Sequence, residues 1–369
     1  MHSAGQLEGM FTDLWIKPGS VLKNVNARSA DRYAQQLWDA RIKNYNTRFL
    51  YQKLREKLPN SIEQDQLFDR LVAGDILKGV LKAPVFFGYS YSSGESMRAS
   101  KKMGITTVLG QINPGPVEAD MVVEEYRKYA GGKYKPFVPD EAYWDRWRND
   151  LLSADKIIVN SRWSADLLRN EIKDANKIAI VPLAFETTLN VPAKEFRTTF
   201  TRTHPIRVLY LGGLEIRKGF HILLDAMKQL INEPVILEVV GMLKGPDALL
   251  KDLPSNVKYH GAVATGGVSS YYANADVFIF PTLSDGFGLT LLEAQAHRLP
   301  IISSHNCAPI VTHMENGIVL RSVTSVDIAG SIRQLINEPM LLQKFSSQAV
   351  SMKPYTISRL ATNLLSVVS

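Results

Sequence analysis

Short apolar runs rich in β-branched and aromatic residues recur through the carboxy-terminal half of the chain. They lie at residues 207–211, 235–240, 257–263, 275–280, 300–304 and 316–320. Helical stretches separate several of them, and fully buried parallel strands have this continuous apolar character. The alternation predicts an α/β fold with a doubly wound parallel sheet over residues 206–350. Ligands of such sheets bind at the carboxyl ends of the strands, so chemically active residues are expected there.

The segment 284–293 follows one of these predicted strands and concentrates chemically active groups. It contains two carboxylates, Asp285 and Glu293, and two glycines that bracket Phe287. Glycine permits positive φ and lets a ligand approach the backbone closely. A helix is predicted from Leu289, and the free amides and the dipole at its start favour negative charge. The segment therefore suits the phosphates or hydroxyls of a sugar nucleotide, although strand-turn-helix units of this kind are common.

Asp285 and Glu293 are separated by seven residues, and their segment resembles the Glu-x7-Glu signature of the retaining glycosyltransferases of family 4. The pattern of an acid, Gly-Phe-Gly-Leu, a hydrophobic pair and Glu-Ala matches, except that the first acid is aspartate. The resemblance implies that Glu293 binds ribose hydroxyls and that the donor sugar is held by Asp285, Gly286, Phe287, Gly288 and Leu289. The residues alone leave another reading open, in which Asp285 caps the turn and Glu293 is a solvated acid of the first helical turn.

Residues 207–219 predict a strand, a glycine turn at Gly212 and Gly213, and a basic pair that opens a helix. This segment resembles the phosphate-binding segment of the same family, and the resemblance places Lys218 on the donor diphosphate. The family arginine is Gly213 here, and the loss of such a charge-assisted contact weakens binding about 10- to 150-fold. Arg217 either replaces that arginine in part or is a solvated surface residue.

The loop after the Tyr259 strand, at the end of the 257–263 run, is the third segment to which the resemblance gives a role. In the family this loop contacts the nucleotide base, and the corresponding residues are Gly261, Ala262 and Val263. Nothing in these residue types identifies the base. The preceding His260 is expected to be a packed or surface histidine rather than a ligand.

The amino-terminal half carries weaker strand patterns at residues 6–16, 83–89, 104–112, 155–160 and 177–183. They predict a second doubly wound domain over residues 1–190, on the acceptor side. The family resemblance implies the GT-B fold, in which two Rossmann-like domains face an interdomain cleft. Residues 206–350 would be the donor-binding domain, and 351–369 would form a helix that crosses back to the first domain.

Two features of the amino-terminal half depart from the family pattern. The family begins with a strand and a glycine-rich loop, and residues 1–5 are too few to supply both before the predicted strand at 6–16. We expect either that the first domain lacks its first strand or that the sequence starts inside a longer reading frame. The family also places a histidine near the sugar, where this chain offers Gln111 and Asn113. Both can hydrogen-bond a sugar hydroxyl, and an ordinary loop explains them almost as well.

The formal net charge of +7 is concentrated in one segment. Residues 17–57 contain ten Lys and Arg against three Asp and Glu, while the rest of the chain contains 33 of each. Apolar and aromatic residues within 30–58 have a spacing compatible with an amphipathic helix or helix pair. Basic amphipathic helices favour anionic lipid surfaces, so peripheral membrane contact through 17–57 is predicted. A solvated basic face is the alternative, and no recognition motif accompanies the charge to indicate nucleic-acid binding.

The single cysteine, Cys307, excludes an internal disulfide and fits a reducing compartment. The sequence contains no Asp-x-Asp motif and no His/Cys cluster with metal-ligand spacing, so a metal-dependent transferase is disfavoured. We therefore expect no metal and no cofactor beyond the donor substrate. No apolar run of about 18 residues and no leader is visible, which predicts a cytoplasmic protein, peripheral on the inner face of the cell membrane.

Together these features predict a retaining, metal-independent glycosyltransferase that moves a sugar from a nucleoside diphosphate to a hydroxyl of a surface glycan or glycolipid. Two other classes stay open. The chain could be a degenerate subunit that is inactive because Gly213 replaces the arginine and the first strand is missing. Such a subunit would bind a sugar nucleotide weakly, turn over nothing and support an active partner. It could also be a GT-B enzyme of another reaction, such as a sugar-nucleotide epimerase or a phosphorylase, since a fold alone does not select a reaction.

Overall fold

The computed structural model describes residues 8–11, 41–44, 61–130, 136, 138–186, 191 and 194–369. The described strands are β1 (Glu8–Phe11), β2 (Arg41–Asn44), β3 (Val85–Tyr89), β4 (Thr106–Gly110), β5 (Lys156–Val159), β6 (Ile178–Ile180), β7 (Ile206–Leu211), β8 (Val235–Val240), β9 (Val257–Tyr259), β10 (Val277–Phe280), β11 (Ile301–Ser303) and β12 (Gly317–Val319). The described helices are α1 (Ser61–Leu77), α2 (Gly94–Lys102), α3 (Pro116–Ala130), α4 (Glu141–Ser153), α5 (Arg162–Leu168), α6 (Phe220–Gln229), α7 (Thr265–Asn274), α8 (Leu289–Ala296), α9 (Ser325–Asn337), α10 (Met340–Ser347) and α11 (Ile357–Val368).

The chain divides into two compact units. The first comprises Met1–Gln111 and Glu141–Ile158, together with Val368. The second comprises Ile112–Asp140 and Val159–Val367, together with Ser369. The sequence-based domain limits at residues 190, 206 and 350 stay a prediction, as does the crossing of the last helix to the first domain.

The first unit is built on parallel strands with helices packed beside them. Strands β3, β4 and β5 are adjacent in that order, with Val85 opposite Thr106 and Val108 opposite Lys156. Buried residues of α1 pack against Ala99 of α2. Asp69 of α1 accepts hydrogen bonds from the first amides of α2, at 2.7 and 2.9 Å, and so supplies the negative charge that a helix start favours.

The second unit contains a six-stranded parallel sheet in the order β12-β11-β10-β7-β8-β9. Successive side chains of a strand point to opposite faces, and both faces are buried here. Val208 and Tyr210 of β7 lie in one apolar core with α6 and α9, while Leu209 lies in a second core with α8. This confirms the doubly wound sheet that the apolar runs predict. Each predicted carboxy-terminal strand is present, within a few residues of its expected limits.

The amphipathic helix predicted over residues 30–58 is wrong for the part of that segment that the structure describes. Residues Arg41–Asn44 form a strand that pairs in parallel with Glu8–Phe11. Hydrogen bonding to a partner strand therefore overrides the helical spacing of the apolar residues, which is a weak signal by itself. The remaining residues of the basic segment 17–57 lie outside the described residues, and the membrane contact stays a prediction.

Replacing Gly317 by alanine is expected to lower the free energy of unfolding by about 1 to 3 kcal/mol, because an added methyl group overpacks the sheet. A Cβ atom there would lie 2.1 Å from the carbonyl oxygen of Ile301 and 2.9 Å from Cγ1 of Val311. Gly330 of α9 is the matched control, since nothing lies within 4 Å of its Cβ position. Its replacement by alanine should stabilise the protein by about 0.5 to 1 kcal/mol. Urea unfolding of the two variants measures the difference, and equal stabilities would contradict this packing.

Candidate active site

The candidate site lies where β7 and β10 end beside each other. Strands β8 and β9 extend the sheet on one side of this pair, and β11 and β12 extend it on the other. The strand order reverses at this point, and the loops that leave β7 and β10 therefore diverge and open a crevice. The amide of Leu283 donates to the carbonyl of Arg217 at 2.9 Å and ties the two loops together.

Asp285 and Lys218, which are 67 residues apart in the sequence, form an ion pair in this crevice. The second carboxylate oxygen of Asp285 accepts the amide of Phe287 at 3.0 Å. The backbone amide of Asp285 donates to the carbonyl of Asn306 at 2.9 Å. Asp285 therefore caps its turn, as the simpler reading predicts, and it also places a carboxylate against the predicted phosphate-binding lysine.

Lys218 ends a 3₁₀ turn, Ile216–Lys218, at the start of α6. Its side chain is 17% exposed, and its ammonium nitrogen lies 5.1 Å from the centre of the Phe280 ring. Burial, followed by repulsion from Arg217, lowers the pKa of Lys218 to about 8, while the carboxylates of Glu215 and Glu118 act in the opposite direction. The ammonium is thus charged at neutral pH and close to its point of deprotonation.

Arg217 is half-buried and is held by contacts within the protein. Its guanidinium donates to the carbonyl of Ser284 at 2.8 Å and to the carboxylate of Glu215 at 3.1 Å. It also lies 3.9 Å from the buried carboxylate of Glu118. Arg217 therefore fastens the loop after β7 to the loop after β10. Its direct contact with a phosphate stays a prediction.

The Gly212–Gly213 turn leaves open space beside Lys218. Gly212 has a φ of 153° and nothing lies within 4 Å of its Cβ position. The hydroxyl of the buried Tyr210 donates to the carbonyl of Gly213 at 2.7 Å and fixes the turn. On the outer side, the stem of Lys244 lies 3.0 Å from the Cβ position of residue 213. A ligand can therefore approach the backbone of the turn closely.

The turn before α8 brings backbone amides to the same crevice. Gly288 has a φ of 90°, and no side chain caps the helix that starts at Leu289. A Cβ atom on Gly286 would lie 2.9 Å from the carbonyl oxygen of Ile112, so the turn tolerates no side chain there without a shift. Phe287 is buried and anchors the turn in the core. The first amides of α8 are left to interact with an anion.

Glu293 is not a solvated acid, because its carboxylate accepts a hydrogen bond from the hydroxyl of Tyr272 at 2.8 Å. Tyr272 belongs to α7 and is 1% exposed. Burial raises the pKa of Tyr272 well above its ordinary value, so the phenol stays a donor. Glu293 is thereby held in one orientation on α8. Its predicted role toward a ribose is compatible with this fixed position and stays a prediction.

The loop after β9 reaches the same edge of the sheet. The carbonyl of Gly261 accepts the amide of Gly241 at 2.8 Å, which joins this loop to the one after β8. Ala262 is exposed, and Val263 is half-buried against the second core. His260 is exposed, and its ring is hydrogen-bonded to the buried carboxylate of Glu238 at 2.6 Å, an environment compatible with the packed or surface histidine predicted there.

The two acceptor-side candidates, Gln111 and Asn113, follow strand β4. Gln111 is buried in the first unit, where its backbone N–H donates to the carbonyl of Ile158 at 2.8 Å. The side-chain oxygen of Asn113, in the second unit, accepts the amide of Gly115 at 3.2 Å, so that it shapes its own turn. Their role toward an acceptor stays a prediction.

Several residues that shape the crevice were missed from the sequence. Trp163 donates its indole N–H to the buried hydroxyl of Ser284 at 2.9 Å, and its ring lies edge-on to His305 at 6.1 Å. Tyr272 and Lys244 were missed as well. None of these lies in a motif. The signal that the sequence offers is that each belongs to a helix or loop that follows the carboxyl end of a predicted strand.

The chain matches known proteins over its carboxy-terminal part. Residues 205–338 match the family model described as "Glycosyl transferases group 1". An uncharacterized glycosyltransferase of Haemophilus influenzae is 27% identical over 209 residues, which cover 54% of this chain and 56% of that protein. The capsular polysaccharide biosynthesis glycosyltransferase CapM of Staphylococcus aureus is 30% identical over 227 residues, which cover 54% of this chain and 59% of CapM. The chain thus spans little more than half the length of these relatives.

The fold extends over the whole chain. The crystal structure of HepE from Anabaena in complex with UDP and glucose matches 98% of this chain and 99% of HepE, with a TM-score of 0.62 and 16% identity. At that identity the likeness establishes the fold, which is GT-B with two parallel sheets. Residues 205–338, which carry the Lys218–Asp285 pair and Glu293, thus match the glycosyl transferases group 1 model within a chain of GT-B fold.

Proposed function

We propose that this protein is a retaining glycosyltransferase that moves a sugar from a nucleoside diphosphate to a hydroxyl of a glycan or lipid-linked acceptor. The observation that carries the proposal is the Lys218–Asp285 ion pair beside the uncapped start of α8. A cation, free amides and a glycine turn converge there, at the switch point where doubly wound sheets bind nucleotides. The match of CapM, a capsular polysaccharide biosynthesis enzyme, supports a glycan acceptor.

The proposed chemistry follows from where charge develops. The bond between the sugar and the diphosphate breaks, and negative charge grows on the departing diphosphate. Lys218 and the first amides of α8 stabilise that charge, and preorganised groups of this kind make a large contribution to catalysis. Asp285 positions the sugar through its hydroxyls. The acceptor oxygen bonds to the anomeric carbon on the face that the diphosphate leaves, and a diphosphate oxygen takes the acceptor proton on that same face. No side-chain nucleophile, metal or other cofactor takes part in this scheme.

Glu293 and the loop after β9 complete the proposed donor site. The carboxylate of Glu293 accepts the ribose hydroxyls, and its bond to Tyr272 keeps it oriented for that purpose. Gly261, Ala262 and Val263 contact the base. We propose further that the protein acts in the cytoplasm, at the inner face of the cell membrane, with 17–57 on anionic lipid. Among the described residues, no helix combines the length and apolarity that crossing a membrane requires.

A degenerate subunit without turnover is the second candidate function, and Gly213 favours it, because no side chain at this position contacts the phosphates. Turnover separates the two candidates. The protein is incubated with UDP-glucose, the donor suggested by HepE with UDP and glucose, and with the GDP, ADP and dTDP sugars. Release of nucleoside diphosphate that depends on an acceptor glycan supports the transferase, and proton NMR of the product should show the anomeric configuration of the donor. A changed free nucleotide sugar would indicate an epimerase, and binding without turnover would indicate the subunit.

The affinity for the nucleoside diphosphate is expected to fall as the pH rises through about 8, by up to about tenfold per pH unit. The pKa of Lys218 is lowered to about 8 by burial, so the free site loses its positive charge above this pH. The bound diphosphate favours the protonated ammonium, and binding therefore takes up a proton in this range. Calorimetric titration at about pH 7 and about pH 9 measures the change. Lys218→Arg should remove it, since a guanidinium stays charged throughout; an equal fall in both proteins would contradict the assignment to Lys218.

A further inference from the structure

The basic side chains around the Gly212–Gly213 turn are already paired within the protein. Lys218 contacts Asp285, and Arg217 lies 3.1 Å from the carboxylate of Glu215. The buried carboxylate of Glu118 lies 3.9 Å from the guanidinium of Arg217. Two cations thus face three carboxylates before any ligand arrives. A diphosphate, which carries several negative charges, needs a further cation in order to bind here.

Lys244 lies on the loop after β8 and covers the outer side of this turn. A Cβ atom on residue 213 would lie 3.0 Å from Cδ of Lys244 and 3.5 Å from its Cε. The amides of Lys244 and Gly245 both donate to the carbonyl of Leu214, at 3.0 and 2.9 Å. The amide of Leu214 in turn donates to the carbonyl of Met242 at 2.9 Å. These reciprocal backbone bonds hold the loop of Lys244 against the turn.

The ammonium group of Lys244 is available to a ligand. The residue is exposed, and the ion pairs found among the described residues do not include it. Its charge is one bond beyond the Cε atom that lies over Gly213. An exposed ammonium keeps its rotamer freedom, so it can turn toward an anion held at the glycine turn without disturbing the core.

We propose that Lys244 supplies the second cationic contact to the donor diphosphate, in place of a side chain at residue 213. This inference rests on the proposed function, since it assumes that a nucleoside diphosphate binds at the turn. Gly213 and Lys244 are complementary, because the lysine stem lies where a side chain at 213 would emerge. The absence of a side chain at Gly213 is then the condition for this contact, and not a sign of lost function.

Calorimetric binding of UDP, GDP, ADP and dTDP, each compared with its nucleoside, tests the proposal. For the diphosphate that binds most tightly, Lys244→Ala should weaken binding about 10- to 100-fold, the effect of a charge-assisted contact. Binding of the parent nucleoside should be unchanged, because a nucleoside carries no phosphate for Lys244 to contact. Lys244→Arg should keep most of the affinity, since it keeps the charge.

Lys251→Ala is the matched control, because it removes the same charge from an exposed residue of the same β8–β9 connection. It should bind the diphosphate within about twofold of the native protein, as expected for a screened surface charge. If Lys244→Ala and Lys251→Ala bind the diphosphate equally well, the contact is absent and the inference is overturned.

A second variant tests the complementarity. Adding Gly213→Arg to the Lys244→Ala protein should restore at least about tenfold of the lost affinity, because a guanidinium then fills the vacated space and reaches the phosphates. If the double variant has the thermal stability of the native protein but regains no affinity for the diphosphate, a side chain at residue 213 cannot take the place of Lys244, and the complementarity is contradicted. If the native chain binds none of the four diphosphates, the proposed function fails and the inference fails with it. If the native chain binds and Lys244→Ala has no effect, only the inference fails.

Discussion

Replacing Lys218 by alanine is expected to lower the rate constant of sugar transfer by about 100- to 1,000-fold, the effect of removing one preorganised group that stabilises developing charge. The ammonium lies in a buried crevice against Asp285, where its electrostatic effect is stronger than in water. The charge on the departing diphosphate grows toward the transition state, so most of the loss should appear in kcat. Release of nucleoside diphosphate at saturating donor and acceptor measures it.

Lys228→Ala provides the control for a lysine of the same unit that lies outside the crevice. Its ammonium pairs with Asp225 on the exposed face of α6 and should contribute nothing to turnover. Removal of Lys218 also leaves Asp285 without its partner, so thermal melting must accompany the kinetics. A Lys218→Ala protein that is folded and turns over within about threefold of the native rate would contradict the assigned role.

Asp285→Asn is expected to lower kcat by about 100-fold, as for the loss of one group that acts on the transition state. Asparagine can cap the turn nearly as well as aspartate, because its side-chain oxygen can also accept the amide of Phe287. The substitution removes the negative charge and a strong acceptor for the sugar hydroxyls. It therefore separates the structural role of the turn from a role in positioning the donor sugar.

The matched measurement is the melting temperature of the same Asp285→Asn protein, with kcat and KM determined for the donor. A native rate with an unchanged melting temperature would show that Asp285 only shapes the turn. The double variant Lys218→Ala with Asp285→Asn should lose less than the product of the two single losses, because the two groups contact each other and act on one substrate. Strictly multiplicative losses would indicate independent roles.

The sheet of the second unit could be predicted closely because its inner strands, such as β8 and β10, are buried on both faces. Such strands appear in the sequence as uninterrupted apolar runs that end at glycine or proline, as in Val277–Phe280 before Pro281. The strands of the first unit were predicted with wider limits. A half-buried strand gives a weaker pattern, as in Val85–Tyr89 within the predicted run 83–89, where Gly88 is the one fully buried residue of the strand. Arg41–Asn44 was missed, since its pairing with Glu8–Phe11 depends on a partner distant in sequence.

The candidate site was predictable only where a motif marks it. Asp285 and Lys218 come together because the sheet order places β7 beside β10, which follows from the doubly wound topology. The environment of Arg217 was not predictable, because its bond to the carbonyl of Ser284 depends on the path of two loops. The place of Lys244 over Gly213 depends in the same way on loop geometry, and no local pattern distinguishes Lys244 from other exposed lysines.

The most direct test of the central claim is the thermal stabilisation of the protein by UDP-, GDP-, ADP- and dTDP-sugars. It is measured for the native protein, for Glu293→Ala and for the control Glu338→Ala, which changes an exposed glutamate. A ligand at a hundredfold its Kd adds about 2.7 kcal/mol to the free energy of unfolding, which gives a clear shift in Tm. We expect a shift with one nucleotide class in the native protein and in Glu338→Ala, and none in Glu293→Ala. No shift with any of the four, or an equal shift in Glu293→Ala, would contradict a donor site at this crevice.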